Sequence, residues 1–310
     1  MALQKEIWSG HLIENYWRDN AFAKLAMQVA EEFIYGGKIV HQSKVGGRPT
    51  VQRNRTTFPA TIGTRTDEDV LYLIDEYFVD PFRIPNSEKY ELDYNKRESV
   101  IGEQSAAANE MAADWLLRFW FKYVQVNSDA STTTTQAQIL RTTGAATAAS
   151  IGTGLRKLFT CKDVGRAKVT LNGKNVPKND RYGLFDSNTL DQITQDEDYK
   201  KTWKVYEDSL VEGTVGKVHG IWLMDRAKAL EFNDAGTDLM AYGATPTDAA
   251  NTGGLIWQKN GVETAIGEVE FFDEYGRPEY FGDIFSAILR SGGRIRRADS
   301  VIAMVQDAAA

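Results

Sequence analysis

The sequence predicts a mixed α+β fold, and two kinds of pattern carry this prediction. Apolar residues recur at helical spacing over a long stretch that begins at Ser99 or Ser105 and ends near Val126. Other stretches, such as residues 69–85, are short, apolar and bounded by proline turns, which is typical of strands. With 310 residues, 42% of them hydrophobic and 25% charged, the chain has the composition of a folded protein with a large core.

Composition and charge exclude several classes of function. The net charge of −7 argues against a general nucleic-acid binder. Cys161 is the single cysteine, so no internal disulfide forms, and His11, His41 and His219 are too scattered to predict a metal site. No stretch approaches the roughly 18 apolar residues of a membrane span, and no signal peptide is predicted.

Residues 11–34 are predicted to form an amphipathic helix. Asp19-Asn20 divides it into two pieces, with Asn20 as the N-cap of the second, and Gly36-Gly37 ends it. Two interpretations remain open here: a helix that packs in the core, and an arm that packs on a neighbouring subunit.

The next segment is basic in an otherwise acidic chain. Residues 38–42 and 50–53 predict two strands, with a turn at residues 46–49 between them. From Gly36 to Thr66 no acidic residue occurs, and the basic residues are Lys38, Lys44, Arg48, Arg53, Arg55 and Arg65. A solvated hairpin is one interpretation, and DNA binding is disfavoured because aromatic side chains do not alternate with the charges. We favour a loop laid across an acidic neighbouring subunit.

The predicted helix that ends near Val126 has a Trp- and Phe-rich stripe, which indicates core packing. Its apolar positions are Ala108, Met111, Ala112, Trp115, Leu116, Phe119, Trp120 and Tyr123. Asp114, Arg118 and Lys122 are four residues apart and share its polar side. Before it, residues 69–85 predict a long strand region that is closed by Asp80-Pro81, with a second break at Pro85-Asn86, and residues 90–94 alternate. After it, the Thr-, Ser- and Ala-rich residues 128–149 predict a loop and the best internal boundary.

From residue 143 to Trp222 the pattern again alternates helices and strands. Small-residue turns and a helix carrying Ile151, Leu155 and Leu158 are predicted up to Cys161, and the next helix begins at Thr160 or Lys162. Gly173 and Pro177 stop that helix. A strand over residues 181–186, a short helix after Asp186-Ser187 and a strand among the glycines at 213, 216 and 220 follow.

An acidic excursion separates that short helix from the glycine-flanked strand. Its carboxylates are Asp191, Asp196, Glu197, Asp198, Glu207 and Asp208. It lacks the Asp-x-Asp-x-Asp-Gly pattern of a calcium loop and contains interspersed lysines, so a solvated helix face is the favoured interpretation over metal binding or acid–base catalysis.

The last third of the chain predicts mainly strands. Residues 226–260 look loop-like apart from Leu255-Ile256-Trp257, and residues 262–272 predict strands. Residues 273–278 predict a turn. A helix is predicted from Asp283 to Gly292-Gly293, and residues 294–305 predict a closing strand.

The sequence contains no catalytic signature. Gly-x-Ser-x-Gly, Gly-x-x-x-x-Gly-Lys-Ser/Thr and His-Glu-x-x-His are all absent, and Gly213–Gly216 lacks the third glycine of a dinucleotide site. We therefore expect no enzyme activity, no cofactor and no metal.

One run of elements resembles a known family. A helix, Asn175-Val176-Pro177, the strand Arg181–Asp186, a short helix and the segment Gly213–Ile221 resemble, in this order, the A-domain core of tailed-phage major capsid proteins of the HK97-like fold. The resemblance implies an N-terminal helical arm (residues 1–35), a basic extended hairpin or E-loop (36–68) and P-domain strands with a spine helix (69–150). It also implies an A-domain (151–280) and a return to the P-domain through the last helix and closing strand (281–310).

The resemblance further implies a function. Such a chain self-assembles through pentamers and hexamers into an icosahedral shell around double-stranded viral DNA, in the host cytoplasm. The expected partners are copies of itself, portal, scaffold or decoration proteins, and packaged DNA by weak non-specific contact, with no membrane. The six basic residues between Lys38 and Arg65 are the predicted E-loop contacts. Lys38 or Lys44 is also a candidate for an isopeptide crosslink, which most relatives lack. The alternatives are an encapsulin-like nanocompartment shell around a cargo enzyme and, more remotely, a cytoplasmic enzyme.

Overall fold

The computed structural model describes residues 17–30, 39–46, 49–60, 62–65, 67–86, 96–126, 132–199 and 214–309. Within these residues the chain is α+β, as predicted, with one long helix, two shorter helices and two main sheets. No helix in the described part is long and apolar enough to cross a membrane.

The long helix α1 (Lys96–Phe121) packs on a four-stranded sheet. The strands, in spatial order, are β1 (Met27–Gln28), β15 (Val262–Arg277), β16 (Gly282–Ile295) and β4 (Asp75–Pro85). Ala108 and Ala112 of the helix are buried against Leu289 of β16. Trp120, which is fully buried, donates from its indole nitrogen to the carbonyl of Glu263 at 3.0 Å. The stripe predicted for this helix is core only in part: Ala108, Ala112, Leu116 and Trp120 are buried, Trp115, Phe119 and Tyr123 are half-buried, and Met111 is exposed.

The second sheet has seven strands. Its spatial order is β11 (Thr214–Val218), β12 (Ile221–Arg226), β10 (Arg181–Asp186), β14 (Asn251–Gln258), β17 (Val301–Val305) and β7 (Gln138–Arg141), and β13 (Leu230–Phe232) also pairs with β14. Every residue of β14 and β17 is buried, so these strands lie at the centre of the molecule. Trp257 packs toward Trp120 of α1, with ring centroids 5.2 Å apart, and this contact joins the two sheets in one core.

Two helices cover the other face of the seven-stranded sheet: α2 (Cys161–Gly173) and α3 (Ser187–Gln195). Their predicted ends are confirmed. Thr160 caps α2 in a reciprocal capping box with Asp163, and the Asp186 carboxylate caps α3 by accepting from the Thr189 amide at 2.9 Å. At the other end of α2, buried Arg181 donates to the carbonyls of Val176 and Pro177, which fixes the turn that leads into β10.

Three short two-stranded ladders complete the described strands. They are β2 (Ile39–Lys44) with β3 (Glu68–Leu73), β5 (Lys122–Val126) with β6 (Thr132–Gln136), and β8 (Ala146–Ala148) with β9 (Leu155–Lys157). Residues 69–85 thus form strands, as predicted, with a break at Ile74. The predicted closure at Asp80-Pro81 is wrong, because β4 continues to Pro85 in its pairing with β16. Residues 90–94 lie outside the described residues.

The helix predicted over residues 11–34 is wrong in its described part, residues 17–30. The chain there forms a short 3-10 helix, Ala21–Leu25, and then the strand β1. Asn20 occupies the N-cap position, but its side chain makes no capping bond and instead accepts from Arg226 at 3.1 Å. Phe22, Ala23 and Ala26 are buried in the core, and Met27 pairs with Glu263. The pairing of β1 with β15 therefore outweighs the helical periodicity of the apolar residues in this segment.

Three predictions between residues 122 and 158 are also wrong. Helix α1 ends at Phe121, and the residues up to Val126 form β5. The Thr-rich residues after 131, predicted as a loop, form β6, β7 and β8, because β-branched threonine suits a half-exposed strand. The predicted helix through Leu155 is the β8–β9 ladder.

The helix predicted from Asp283 to Gly292-Gly293 is wrong, because these residues lie within β16. Phe285, Ala287, Leu289 and Ser291 alternate as buried positions, so a period of two outweighs the helical spacing of the same apolar residues. The turn predicted at residues 273–278 is mostly strand, since β15 runs to Arg277. Residues 226–260 include the strands β13 and β14 besides loops.

The predicted closing strand over residues 294–305 is divided. Its beginning completes β16, and a 3-10 turn, Ala298–Ser300, separates it from β17. β16 lies in the sheet under α1. β17 does not: it lies between β14 and β7 in the seven-stranded sheet.

Candidate functional site

The basic segment forms an extended loop, but not with the predicted pairing. β2 pairs antiparallel with β3, from Ile39 opposite Leu73 to Lys44 opposite Glu68. The predicted strand over residues 50–53 is wrong, because β3 supplies the partner strand. The Asp67 carboxylate accepts from the Gly46 amide at 3.0 Å, so the two ends of the loop are held together at its base. The segment between them extends from the ladder.

The structure describes three of the predicted basic side chains. Arg53 and Arg65 are exposed, and Arg55, which is half-buried, donates to Gln52 at 2.9 Å. Arg65 pairs with Asp67 at 2.7 Å; this bond raises the pKa of Arg65 and, together with the Gly46 amide, lowers the pKa of Asp67. Only the backbone of Lys44 is described, at the end of β2. Lys38 and Arg48 lie outside the described residues.

The loop also exposes large apolar side chains, which the sequence reasoning missed. The exposed fractions are 88% for Val51, 75% for Phe58 and 92% for Ile62. A signal was present in the sequence, because Phe58 and Ile62 interrupt a polar stretch outside any predicted strand or helix, whereas Val51 belonged to the predicted strand over residues 50–53. Apolar side chains exposed on an extended segment are typical of a surface that another molecule covers.

A second apolar surface lies on the four-stranded sheet, on the face turned away from α1. Tyr77 and Val79 of β4 pack toward the helix, so Phe78 between them points to the opposite face, where 73% of it is exposed. Phe78 lies beside Ile288 of β16, and Phe272 of β15 is 55% exposed. We call this surface the open sheet face.

The open sheet face continues into an acidic and aromatic end. Residues 270–281 carry the carboxylates Glu270, Asp273, Glu274 and Glu279 against one arginine, Arg277. The same end exposes Tyr275, Tyr280 and Phe281. The loop is basic and apolar, whereas this surface is acidic and apolar, so the two are complementary in charge and character.

The described N-terminal segment is held by a cluster of charges. Asp114 of α1 accepts from Arg18 at 2.7 Å and lies 2.7 Å from the guanidinium of Arg226 on β12. Arg226 is buried and also donates to the Asp19 carbonyl. The polar side of α1, predicted from the spacing of Asp114, Arg118 and Lys122, is therefore a contact surface. Arg118 donates to the Met240 carbonyl, and Lys122 pairs with Asp238.

The described residues contain no group of His, Cys, Asp and Glu that could hold a metal ion. Burial raises the pKa of the Cys161 thiol to about 12, and nearby carboxylates add to the shift. Within the acidic excursion, Asp196 accepts from the Cys161 amide at 3.0 Å, whereas Asp191, Glu197 and Asp198 are exposed, as a solvated face requires. Glu207 and Asp208 lie outside the described residues.

No model of a known protein family matches the sequence, and a search of curated proteins finds no match. The structure, in contrast, matches solved structures over nearly its full length. "Mycobacterium phage Che8" matches with a TM-score of 0.64 at 17% identity, over 98% of this chain and 97% of the other. "Capsid of Ralstonia phage GP4" matches with a TM-score of 0.65 at 12% identity, over 99% and 96%. "Capsid of empty GTA particle computed with C5 symmetry" gives 0.65 at 12% identity, over 98% and 96%.

These matches confirm the fold expected from the sequence. The chain has the HK97-like fold of tailed-phage capsid structures, from its N-terminal segment to its last strand.

Proposed function

We propose that this chain is a major capsid protein, which assembles through pentamers and hexamers into an icosahedral shell around double-stranded viral DNA. The observation that carries the proposal is the match with phage capsid structures across at least 97% of this chain and at least 91% of each matched chain. A match of that extent includes the loop, the open sheet face and both sheets. The role of the chain is then a structural one in the virion.

The loop between β2 and β3 is proposed to dock on the open sheet face of a neighbouring copy. Val51, Phe58 and Ile62 would be buried against Phe78 and Phe272. The burial of these apolar side chains would be the main favourable contribution to the free energy of docking. Arg53 and Arg55 would approach the carboxylates at residues 270–279, which sets the orientation of the two copies. The same contact covers β4, an edge strand whose backbone groups are otherwise open to pairing with other chains.

The proposal gives each region predicted from the sequence a role in the capsid. The loop within residues 36–68 is the contact element, residues 69–150 provide α1 and β4, and residues 151–280 provide most of the seven-stranded sheet. Portal, scaffold and decoration proteins are the proposed further partners. A chain with a net charge of −7 suits an inner wall that must let DNA slide during packaging.

The first experiment is negative-stain electron microscopy of the purified full-length chain, with light scattering on the same sample. Closed shells or rings of five and six subunits are the expected result. A stable small oligomer at every concentration and ionic strength contradicts the proposal, whereas a monomer calls for the same measurement after co-expression with a scaffold protein, one of the proposed partners. Shells purified from infected or expressing cells are then digested with nuclease, and protected double-stranded DNA distinguishes a virus head from a compartment that encloses a protein cargo.

A further inference from the structure

The sequence contains two Asn-Gly dipeptides, Asn172-Gly173 and Asn260-Gly261. An asparagine that precedes glycine loses its side-chain amide without an enzyme more readily than other asparagines do. The reason is that glycine has no Cβ to hinder the attack of its backbone nitrogen on the asparagine side chain. The structure places the two dipeptides in different environments, and the proposed docking of the β2–β3 loop uses neither.

The first dipeptide, Asn172-Gly173, forms the end of α2. The Asn172 side chain is half-buried, and its Oδ1 atom accepts a hydrogen bond from Nη2 of Arg181 at 2.9 Å. Gly173 is exposed, and a Cβ at this position would meet no atom within 4 Å. The attacking nitrogen therefore lies at an open helix end, whereas the carbonyl that it attacks is bonded to a guanidinium.

Arg181 is a buried cation that has no carboxylate partner among the described residues. It is 2% exposed, and its other acceptors are the backbone carbonyls of Val176 and Pro177, both at 2.8 Å. Burial lowers the pKa of Arg181, and no carboxylate in the described part of the chain opposes this effect. A buried cation gains most from an anion that lies within hydrogen-bond distance. Of the three acceptors, the Asn172 side chain is the one that can become an anion.

We infer that Asn172 is a site of spontaneous deamidation and that the carboxylate formed there pairs with buried Arg181. The backbone nitrogen of Gly173 attacks Cγ of Asn172 and forms a C–N bond. The bond between Cγ and Nδ2 then breaks, and ammonia leaves with the proton of the Gly173 amide. Water opens the cyclic imide to aspartate, or to isoaspartate where the other C–N bond breaks, so the reaction exchanges one water for one ammonia.

Arg181 has a role in the first step as well as in the product. Attack on Cγ places negative charge on Oδ1, and the guanidinium already donates to that atom. A fixed donor at an atom where negative charge develops lowers the barrier of the step. The inference goes beyond the proposed function and does not depend on it, because the reaction needs only the folded chain and water.

The second dipeptide, Asn260-Gly261, is an internal comparison. Gly261 is buried, and a Cβ there would lie 1.9 Å from Oγ of Ser300. The Gly261 carbonyl accepts from the amides of Arg296 and Arg297 at 2.8 and 3.2 Å, so this backbone is held on both sides. The Arg296 side chain donates to the backbone carbonyl of Asn260 at 3.4 Å, and no cation in the described part of the chain donates to the Asn260 side chain.

The product at position 172 should stabilise the fold. A carboxylate gives Arg181 a counter-charge and replaces a neutral hydrogen bond by a charge-assisted one. A negative charge near the C-terminus of a helix is unfavourable, but that effect is weaker than a hydrogen bond between a carboxylate and a buried guanidinium. The turn between α2 and β10 therefore becomes more stable as the chain ages.

The first test is peptide mapping by mass spectrometry of the full-length chain during storage at mildly alkaline pH. Asn172 is expected to convert roughly tenfold faster than Asn260, which is below the effect of a fully preorganised oxyanion donor. Aspartate and isoaspartate at position 172 both count as product. Conversion of Asn172 that is no faster than that of Asn260 overturns the inference.

Two variants test the route and the product. Gly173→Ala has room for its Cβ and should make Asn172 convert no faster than Asn260. An unchanged rate would exclude attack by the residue-173 nitrogen. Asn172→Asp should raise the melting temperature by about 2 °C, whereas the matched control Asn260→Asp should leave it unchanged. A melting temperature of Asn172→Asp at or below that of the unmodified chain would overturn the pairing with Arg181. Shell formation enters neither measurement, so the proposed function is tested separately.

Discussion

At the scale of single residues, Asp114 joins three parts of the molecule. It pairs with Arg18 of the N-terminal segment and with Arg226 of β12, and it belongs to α1. The Arg226 side chain is only 1% exposed, so its charge depends on this carboxylate and on backbone carbonyls instead of water. Burying an arginine without its anion is costly, whereas a surface pair contributes little.

Asp114→Asn is therefore expected to lower the free energy of unfolding by about 3 kcal/mol, because Arg226 keeps its burial and loses its counter-charge. Urea denaturation followed by circular dichroism measures it. Glu110→Gln is the matched control, since Glu110 contacts only the more exposed Arg18 and should cost less than about 1 kcal/mol. Equal losses in the two variants would show that Arg226 does not depend on Asp114.

Cys161 gives a second prediction at this scale. Burial raises the pKa of its thiol to about 12, so the thiol stays protonated at pH 8 and should react with a disulfide reagent only after unfolding. The sign of the stability effect follows from the same shift. The unfolded chain loses this proton near pH 9 and the folded chain does not, so the stabilisation is complete below that pH and is lost as the pH rises toward 12. Rapid modification of the native protein at pH 8 would contradict the buried placement.

At the scale of elements, the proposed role of the loop between β2 and β3 as a contact between copies can be tested directly by mutation. Arg53→Glu with Arg55→Glu should weaken assembly by repulsion, and Val51→Asp with Ile62→Asp should weaken it by removing apolar contact area. All four side chains lie outside the core, so the melting temperature of the unassembled chain should hardly change.

Sedimentation velocity gives the assembled fraction for these loop variants. Lys178→Glu with Arg297→Glu, two exposed charge reversals elsewhere, is the control for net charge. If the arginine pair matters and the apolar pair does not, the contact is electrostatic only, and docking on Phe78 and Phe272 is wrong. If neither pair matters, the loop is not a contact element.

The elements also show which parts of the fold could be predicted from the sequence. The starts of helices α2 and α3 and the end of α2 at Gly173 were predicted, because these signals act locally, whereas the capping bonds of Thr160 and Asp186 were found only in the structure. β16 was predicted as a helix because Ile284, Phe285, Ile288 and Leu289 fit a helical spacing, and only pairing with β4 and β15 decides for a strand. β17 was assigned to the wrong sheet for the same reason, because the order of strands in a sheet depends on contacts between residues that are far apart in the sequence. The basic residues of the loop were visible in the sequence, but the exposure of its apolar side chains could be recognised only from the fold.

At the scale of the whole molecule, charge is distributed unevenly. The chain is acidic overall, yet the loop between β2 and β3 is basic. If a neighbouring copy covers this loop in a shell, the shell presents mainly acidic surface to its contents. The same contacts that hold subunits together then keep DNA from adhering to the wall.

The free subunit and the assembled shell should therefore differ in their affinity for DNA. The unassembled chain, with Arg53 and Arg55 accessible, should bind a DNA duplex weakly, with an affinity that falls as salt increases. Assembled shells at equal subunit concentration should bind less, because those cations are occupied and the remaining charge repels phosphate. Fluorescence anisotropy with a labelled duplex across a salt series measures both. Tight, salt-sensitive binding by assembled shells would contradict the covered-charge arrangement, since it would require cations on the shell surface that no neighbouring subunit occupies.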